Sequence, residues 1–231
     1  MKRTLISLLL GLSSMSAGAV TLTFTNEGVI GQTTVFKAAL GGTGLTQIGS
    51  ATITDSNSGT GGSPGVFSGF DLDFVFLDTD GDFTTTGDRV FGSVFAFTTG
   101  AIRPTVDPDF LPTVGRPGPT SGSLAANSID PALATLNTLD GFFPAGFNTD
   151  NVFGWLTLGD GGSLGVGFAS PITITGTEAL FVGEVGTSAG ELVGASVTAA
   201  ETSIPEPASL ALLGLGLAGL GFSRRRKSVQ A

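Results

Sequence analysis

Phe70-Asp71-Leu72-Asp73-Phe74-Val75-Phe76 is the stretch that decides the fold class. Phe70, Leu72, Phe74 and Phe76 alternate with Asp71, Asp73 and Val75. A period of two places alternate side chains on opposite faces of an extended chain, so a half-buried strand is expected here. The rhythm recurs outward in both directions. Leu22 and Phe24 alternate with Thr21, Thr23 and Thr25, and Phe91, Phe95 and Phe97 share one face with Ser93. Further strands are expected over 29–37, 45–54, 152–158, 163–168, 171–175, 179–185 and 192–199. Roughly ten short strands between Gly- and Asp-rich turns predict an all-β body, an antiparallel β-sandwich or jelly-roll-like fold. Residues 100–119 hold five of the eleven prolines and read as a long ordered crossing segment. One helix is expected: Asp130 as N-cap, Pro131 at the first position, Leu133, Leu136 and Leu139 along one side, and Gly141 as the stop.

Composition narrows the chemistry. The chain has no cysteine, no histidine and no tyrosine. Without cysteine no disulfide can staple the body, which must rely on its core. Without histidine, Ser-His-Asp, Cys-His and His-zinc chemistries are excluded. Carboxylate chemistry survives, and Asp160 with Glu184 is one conceivable pair for glycoside hydrolysis. Eighteen acids in residues 20–203 produce such pairs by chance, so a non-enzymatic protein is expected. Those acids face only Lys37, Arg89, Arg103 and Arg116, a balance of −14 against −9 for the whole chain. So acidic a body repels nucleic acid and anionic headgroups but suits divalent cations.

The two ends are addresses. Lys2 and Arg3 precede an apolar run from Leu5 to Leu12, and small residues lead to Ala17-Gly18-Ala19. This is the pattern of a secretory signal peptide over 1–19, cut before Val20 with Ala17 and Ala19 as the cleavage residues. The general secretion machinery is the implied partner. At the other end Pro205-Glu206-Pro207 is followed by an apolar run over 208–222, then Arg224-Arg225-Arg226-Lys227. Pro207 suits the first turn of a helix, and Glu206 suits the positive end of its dipole. Fifteen helical residues span about 22 Å, short of a hydrocarbon core of about 30 Å, so snorkelling arginines or local thinning must help. The basic stop favours a transmembrane helix over 208–222 with its basic end in the cytoplasm and the body outside. The expected domains are thus 1–19, an exported β-rich domain over 20–203, and a C-terminal segment over 204–231.

The C-terminal order of triplet, apolar run and basic cluster resembles the PEP-CTERM protein-sorting signal. The resemblance implies recognition by an exosortase, a membrane-embedded cysteine transpeptidase-like enzyme that cuts near Pro205, Glu206 and Pro207. It further implies delivery of the body to the cell surface or to an exopolysaccharide matrix, as in Gram-negative bacteria that use this system. Pro205, Glu206 and Pro207 would then be read by another protein's active site. Separately, Leu158-Gly159-Asp160-Gly161-Gly162-Ser163-Leu164, with Gly167-Phe168, Pro171-Ile172 and the stretch from Leu180 to Gly186, is similar to a β-sandwich module of bacterial surface proteins. That likeness bears on fold alone.

Within the body, Asp78-Thr79-Asp80-Gly81-Asp82 with Asp88 is the strongest chemical candidate, and Asp71 and Asp73 precede it. Alternating carboxylates around a glycine can wrap a hard cation, and calcium, the candidate cofactor, takes six to eight oxygens. The spacing is not that of an EF-hand, since glycine falls fourth and no glutamate closes a twelve-residue loop; a solvated Asp-Gly hairpin is the plain alternative. Trp155 offers either a sugar-stacking face or a core anchor, and the absence of tyrosine favours the core. Lys37 and Arg89 are expected as surface charges. Residues 59–65 lack the Lys-Ser/Thr ending of a phosphate loop and read as flexible turns. The expected function is an exported, exosortase-processed surface or matrix protein, with a carbohydrate- or calcium-binding module as the alternative.

Overall fold

The computed structural model describes residues 19–59, 63–111, 119–142 and 154–186, and the backbone of 196–200. Along them run β1 (Ala19–Leu22), β2 (Thr25–Ile30), β3 (Thr33–Ala39), β4 (Gln47–Thr54), β5 (Asp71–Asp78), β6 (Arg89–Phe91) and β7 (Val94–Thr98). They continue with β8 (Ser123–Ala125), β9 (Ser128–Ile129), β10 (Leu156–Thr157), β11 (Ser163–Thr173), β12 (Ala179–Val185) and β13 (Ser196–Ala200). One sheet has the order β1-β13-β4-β11-β7; the other has β10-β5-β12-β3-β2, with β6 also pairing β5. Every strand pair is antiparallel. Residues Gly18–Thr202 make one compact unit. The stretches expected as signal peptide, sorting triplet, transmembrane helix and basic stop fall outside the described residues, except that Ala19 opens β1. Among the described residues no helix is long and apolar enough to cross a membrane.

Side chains from both sheets share one buried cluster. Ile48 and Ile53 of β4, Phe97 of β7 and Leu164 and Val166 of β11 meet Phe36 of β3, Leu72, Val75 and Leu77 of β5, and Leu180 and Val182 of β12. The body is therefore two antiparallel layers around a common core. Each fully buried Leu, Ile, Val or Phe removes enough apolar area from water to contribute about 1.5–3 kcal/mol, a gain that must carry a fold with no disulfide.

The deciding strand departs from simple alternation. Between Val182↔Val75 and Glu184↔Leu72, β12 advances two residues while β5 advances three. This β-bulge at Asp73-Phe74 inverts the faces. Phe70 and Leu72 point into the intersheet core, but Phe74 and Phe76 join Val35, Ala179 and Phe181 in a second cluster on the other face of the sheet. The four aromatic and aliphatic residues expected on one face are thus split between two. Gly183 shows why its strand needs a glycine: a Cβ there would lie 2.4 Å from the Phe74 ring. Nor is the strand half-buried, for all eight residues of β5 are buried, Asp71, Asp73 and Asp78 among them. The strand is central, paired by β12 on one side and by β10 and β6 on the other.

Four other expectations change. The expected strand over 29–37 is parts of the β2–β3 hairpin, turned at Gly31 with φ +63. Phe91 lies on β6 and Phe95 and Phe97 on β7, in different sheets, so they share no face. The segments 163–168 and 171–175 merge into β11, with an irregularity between Gly167 and Ile172 where it crosses β4. The helix after Asp130 does not form. Asp130 Oδ1 accepts the Ala132 N–H and its carbonyl accepts those of Leu133 and Ala134, one turn and no more. Ala134 then bridges Gly154, and the Leu136 carbonyl accepts the Val75 N–H at 3.1 Å. Ten residues with Thr135, Asn137 and Thr138 are too few and too poor in helix formers to nucleate alone, and burying Leu136 in the intersheet core wins.

Candidate metal centre

β5 ends at Asp78 and β6 returns beside it, pairing Asp78 with Arg89, Leu77 with Val90 and Phe76 with Phe91. The intervening loop is held by its own aspartates. Asp78 Oδ1 accepts the N–H groups of Asp80 (3.2 Å), Gly81 (2.7 Å) and Asp82 (3.1 Å). Gly81 takes φ +72, and a Cβ there would meet the Thr177 carbonyl at 2.5 Å, so both conformation and space call for glycine. Asp82 Oδ1 in turn accepts from the backbone (2.9 Å) and hydroxyl (2.8 Å) of Thr84.

The two cations of the region anchor this loop; they are not the loose surface charges expected. Lys37 Nζ donates to the Gly81 carbonyl at 2.6 Å and lies 5.8 Å from the Phe181 ring centre. The Arg89 guanidinium donates to the Phe83 and Thr85 carbonyls and stacks on the rings of Phe76 and Phe83, at 4.6 and 4.7 Å. Phe83 is thereby pressed onto Phe74, Phe76 and Phe181, with ring centres 5.5–5.8 Å away. No sequence pattern marks Phe83 as a lid over that face; its single signal is an apolar residue inside a polar loop.

Of the four aspartates proposed as ligands, the structure brings three together. Asp78, Asp80 and Asp88 each offer an oxygen, all within 4.8 Å of one another, while Asp82 is turned to Thr84. Two oxygens on one calcium ion lie at most about 5 Å apart, since each bond is about 2.3–2.6 Å. Thr79 and Thr85, which the sequence reading passed over, donate hydroxyls to this group: Thr79 to Asp88 at 3.4 Å, Thr85 to Asp80 at 3.4 Å and to Asp88 at 3.1 Å. Among the described residues no lysine or arginine forms an ion pair with any of the three. Asp78 is fully buried, and its Oδ2 has no hydrogen-bond partner. Burial pushes its carboxyl above the ordinary range, and the adjoining Asp80 carboxyl and Asp88 charge push the same way, against the Gly81 and Asp80 N–H groups. Asp82 moves down instead, held by the N–H and hydroxyl of Thr84.

The other candidates are engaged with separate neighbours. Asp71 and Asp73 lie on β5 but point to different partners. The Thr157 hydroxyl donates to Asp71, and Asp73 accepts from Thr33 (2.6 Å) and the Gly141 N–H (2.8 Å). Asp160 pairs with Arg103 at 3.4 Å, whereas Glu184 accepts the Asp71 N–H at 3.2 Å, so each member of the supposed catalytic pair is engaged elsewhere. Trp155 is fully buried against Phe67, a core anchor.

No curated protein and no solved structure matches the chain. Residues 203–227 match the family model of the PEP-CTERM protein-sorting motif, so the chain carries the signal of an exported protein addressed to an exosortase.

Proposed function

We propose that the chain is a non-enzymatic surface or matrix protein that reaches the exopolysaccharide layer after exosortase processing. On this reading the signal peptide over 1–19 opens the secretory route. The 208–222 helix with its basic stop at Arg224, Arg225, Arg226 and Lys227 then holds the chain in the inner membrane until cleavage near Pro205-Glu206-Pro207. The match at 203–227 is the observation that carries this. The chemistry of the body agrees. It has no histidine or cysteine, and its buried acids serve internal hydrogen bonds: Asp71, Asp73, Glu178 and Glu184 all accept from neighbouring protein groups. An acidic body with few cations also suits a hydrated, calcium-containing polysaccharide matrix better than nucleic acid. Mass spectrometry of the mature protein tests the proposal. Cells with exosortase should yield a body lacking the basic end, and cells without it should retain Arg224–Lys227. An intact basic end in exosortase-competent cells would overturn it.

A further inference from the structure

We infer that Asp78, Asp80 and Asp88 bind one calcium ion, and that the bound ion locks the β5–β6 loop and its Phe83 onto the outer face of the sheet. Two independent observations carry this. The first is convergence: three carboxylates within 4.8 Å, with the nearby Lys37 and Arg89 committed to backbone carbonyls and aromatic rings. The second is the fully enclosed Asp78, whose Oδ1 already takes three N–H donors and whose Oδ2 takes none. A buried carboxylate oxygen that no protein donor reaches is costly, and the cost grows beside two further carboxylates. A divalent cation removes both penalties at once. Oxygen ligands alone, with no histidine or cysteine, select a hard ion, and the neighbouring Thr79 and Thr85 hydroxyls with solvent can supply the remaining oxygens that calcium requires. The loop also meets the neighbouring β11–β12 turn, where the Thr177 hydroxyl donates to the Thr79 carbonyl at 3.1 Å. Ordering residues 79–88 therefore tightens the contact between β5, β6 and that turn, and keeps Phe83 over Phe76 and Phe181. This inference does not depend on how the chain is exported.

The test is calcium titration of the purified full chain by calorimetry, with thermal melts and hydrogen exchange in calcium and in chelator. A dissociation constant of about 10⁻⁴–10⁻³ M is expected, as for extracellular modules. Ten millimolar calcium should then raise the melting midpoint by about 4–7 °C, with slowed exchange concentrated in residues 79–88. Asp88→Asn, at a partly exposed position where folding is retained, should weaken binding at least about tenfold, and Asp78→Asn at least as much. Asp82→Asn should leave binding within about twofold, because its carboxylate serves Thr84. Absence of any midpoint or exchange response at ten millimolar calcium, an equal response to magnesium, or unchanged binding in Asp88→Asn would each overturn the inference.

Discussion

Glu178 and Asp78 stand side by side at one end of the second sheet, since Ala179 pairs directly with Asp78, and both carboxylates are buried. Their surroundings treat them in opposite ways. Burial alone would push Glu178 up, but the Thr175 hydroxyl at 2.6 Å and the N–H groups of Thr175 and Gly176 hold it down to about 2. Asp78 has three N–H donors on one oxygen, nothing on the other, and two acids for neighbours, so it moves up. The contrast teaches that burial does not decide whether an acid stabilises a fold. What decides is whether the donors around a carboxylate outweigh the loss of its water: they do at Glu178 and they do not at Asp78. Where they do, the anion is a structural tie; where they do not, burial favours a proton or a cation.

The largest effect should come from breaking the satisfied acid. Glu178→Ala strips the Thr175 and Gly176 donors of their acceptor and should cost about 2–3 kcal/mol, read as a lower urea midpoint. Next comes Gly183→Ala, which forces a Cβ to within 2.4 Å of the Phe74 ring beside the bulge. Displacing that ring should cost about 1–3 kcal/mol, and the near-ultraviolet dichroism of the phenylalanine cluster should change with it.

Two buried acids, Glu178 and Asp73, also predict opposite pH slopes. The depressed Glu178 contributes stability that is complete above its ordinary value of 4.5 and is lost as pH falls toward about 2. Chemical denaturation at several pH values should show that loss in the parent chain and a flatter profile in Glu178→Gln. Asp73 gives the reverse sign. Burial raises its carboxyl above 3.8, against the Thr33 hydroxyl and the Gly141 and Asp140 N–H groups. Its stabilising share is therefore present below that value and declines as pH rises through the raised one. Asp73→Asn should remove this decline at a cost of no more than about 1 kcal/mol near neutrality, because an amide oxygen can still accept the Gly141 N–H. The smallest effect sharpens the contrast: in chelator, Asp78→Asn should raise the melting midpoint by about 2 °C, and calcium should erase the advantage.

Legibility in the sequence tracked locality. The repeat from Phe70 to Phe76 identified a strand, and its like elsewhere identified an antiparallel β body, because side-chain alternation is a property of one extended chain. The inversion at Asp73-Phe74 left no trace, since a bulge is defined by the partner strand's register. Residues 29–37 read as one strand because Val29, Ile30, Val35 and Phe36 all favour extended chain; Gly31 was the one hint of the turn between them. The helix expected at Asp130 had a genuine cap and a genuine first turn. It failed because Gly154 and Val75, far along the chain, offered its backbone groups better partners. At the candidate site the aspartate run was conspicuous, but its membership was not. Asp88 reaches Asp78 because β6 doubles back, and Asp82 leaves the group because Thr84 captures it.

The residues by themselves determined the address and the class of body. A sorting triplet before an apolar run and basic cluster is read as linear sequence; period-two alternation points to strands, and the lack of cysteine leaves their core without disulfides. Tertiary structure alone decided which acids are satisfied and which converge. Electrostatic fate depends on distances of a few ångströms between segments that chain order leaves unspecified, and so on which donors the folded sheets carry to each buried oxygen.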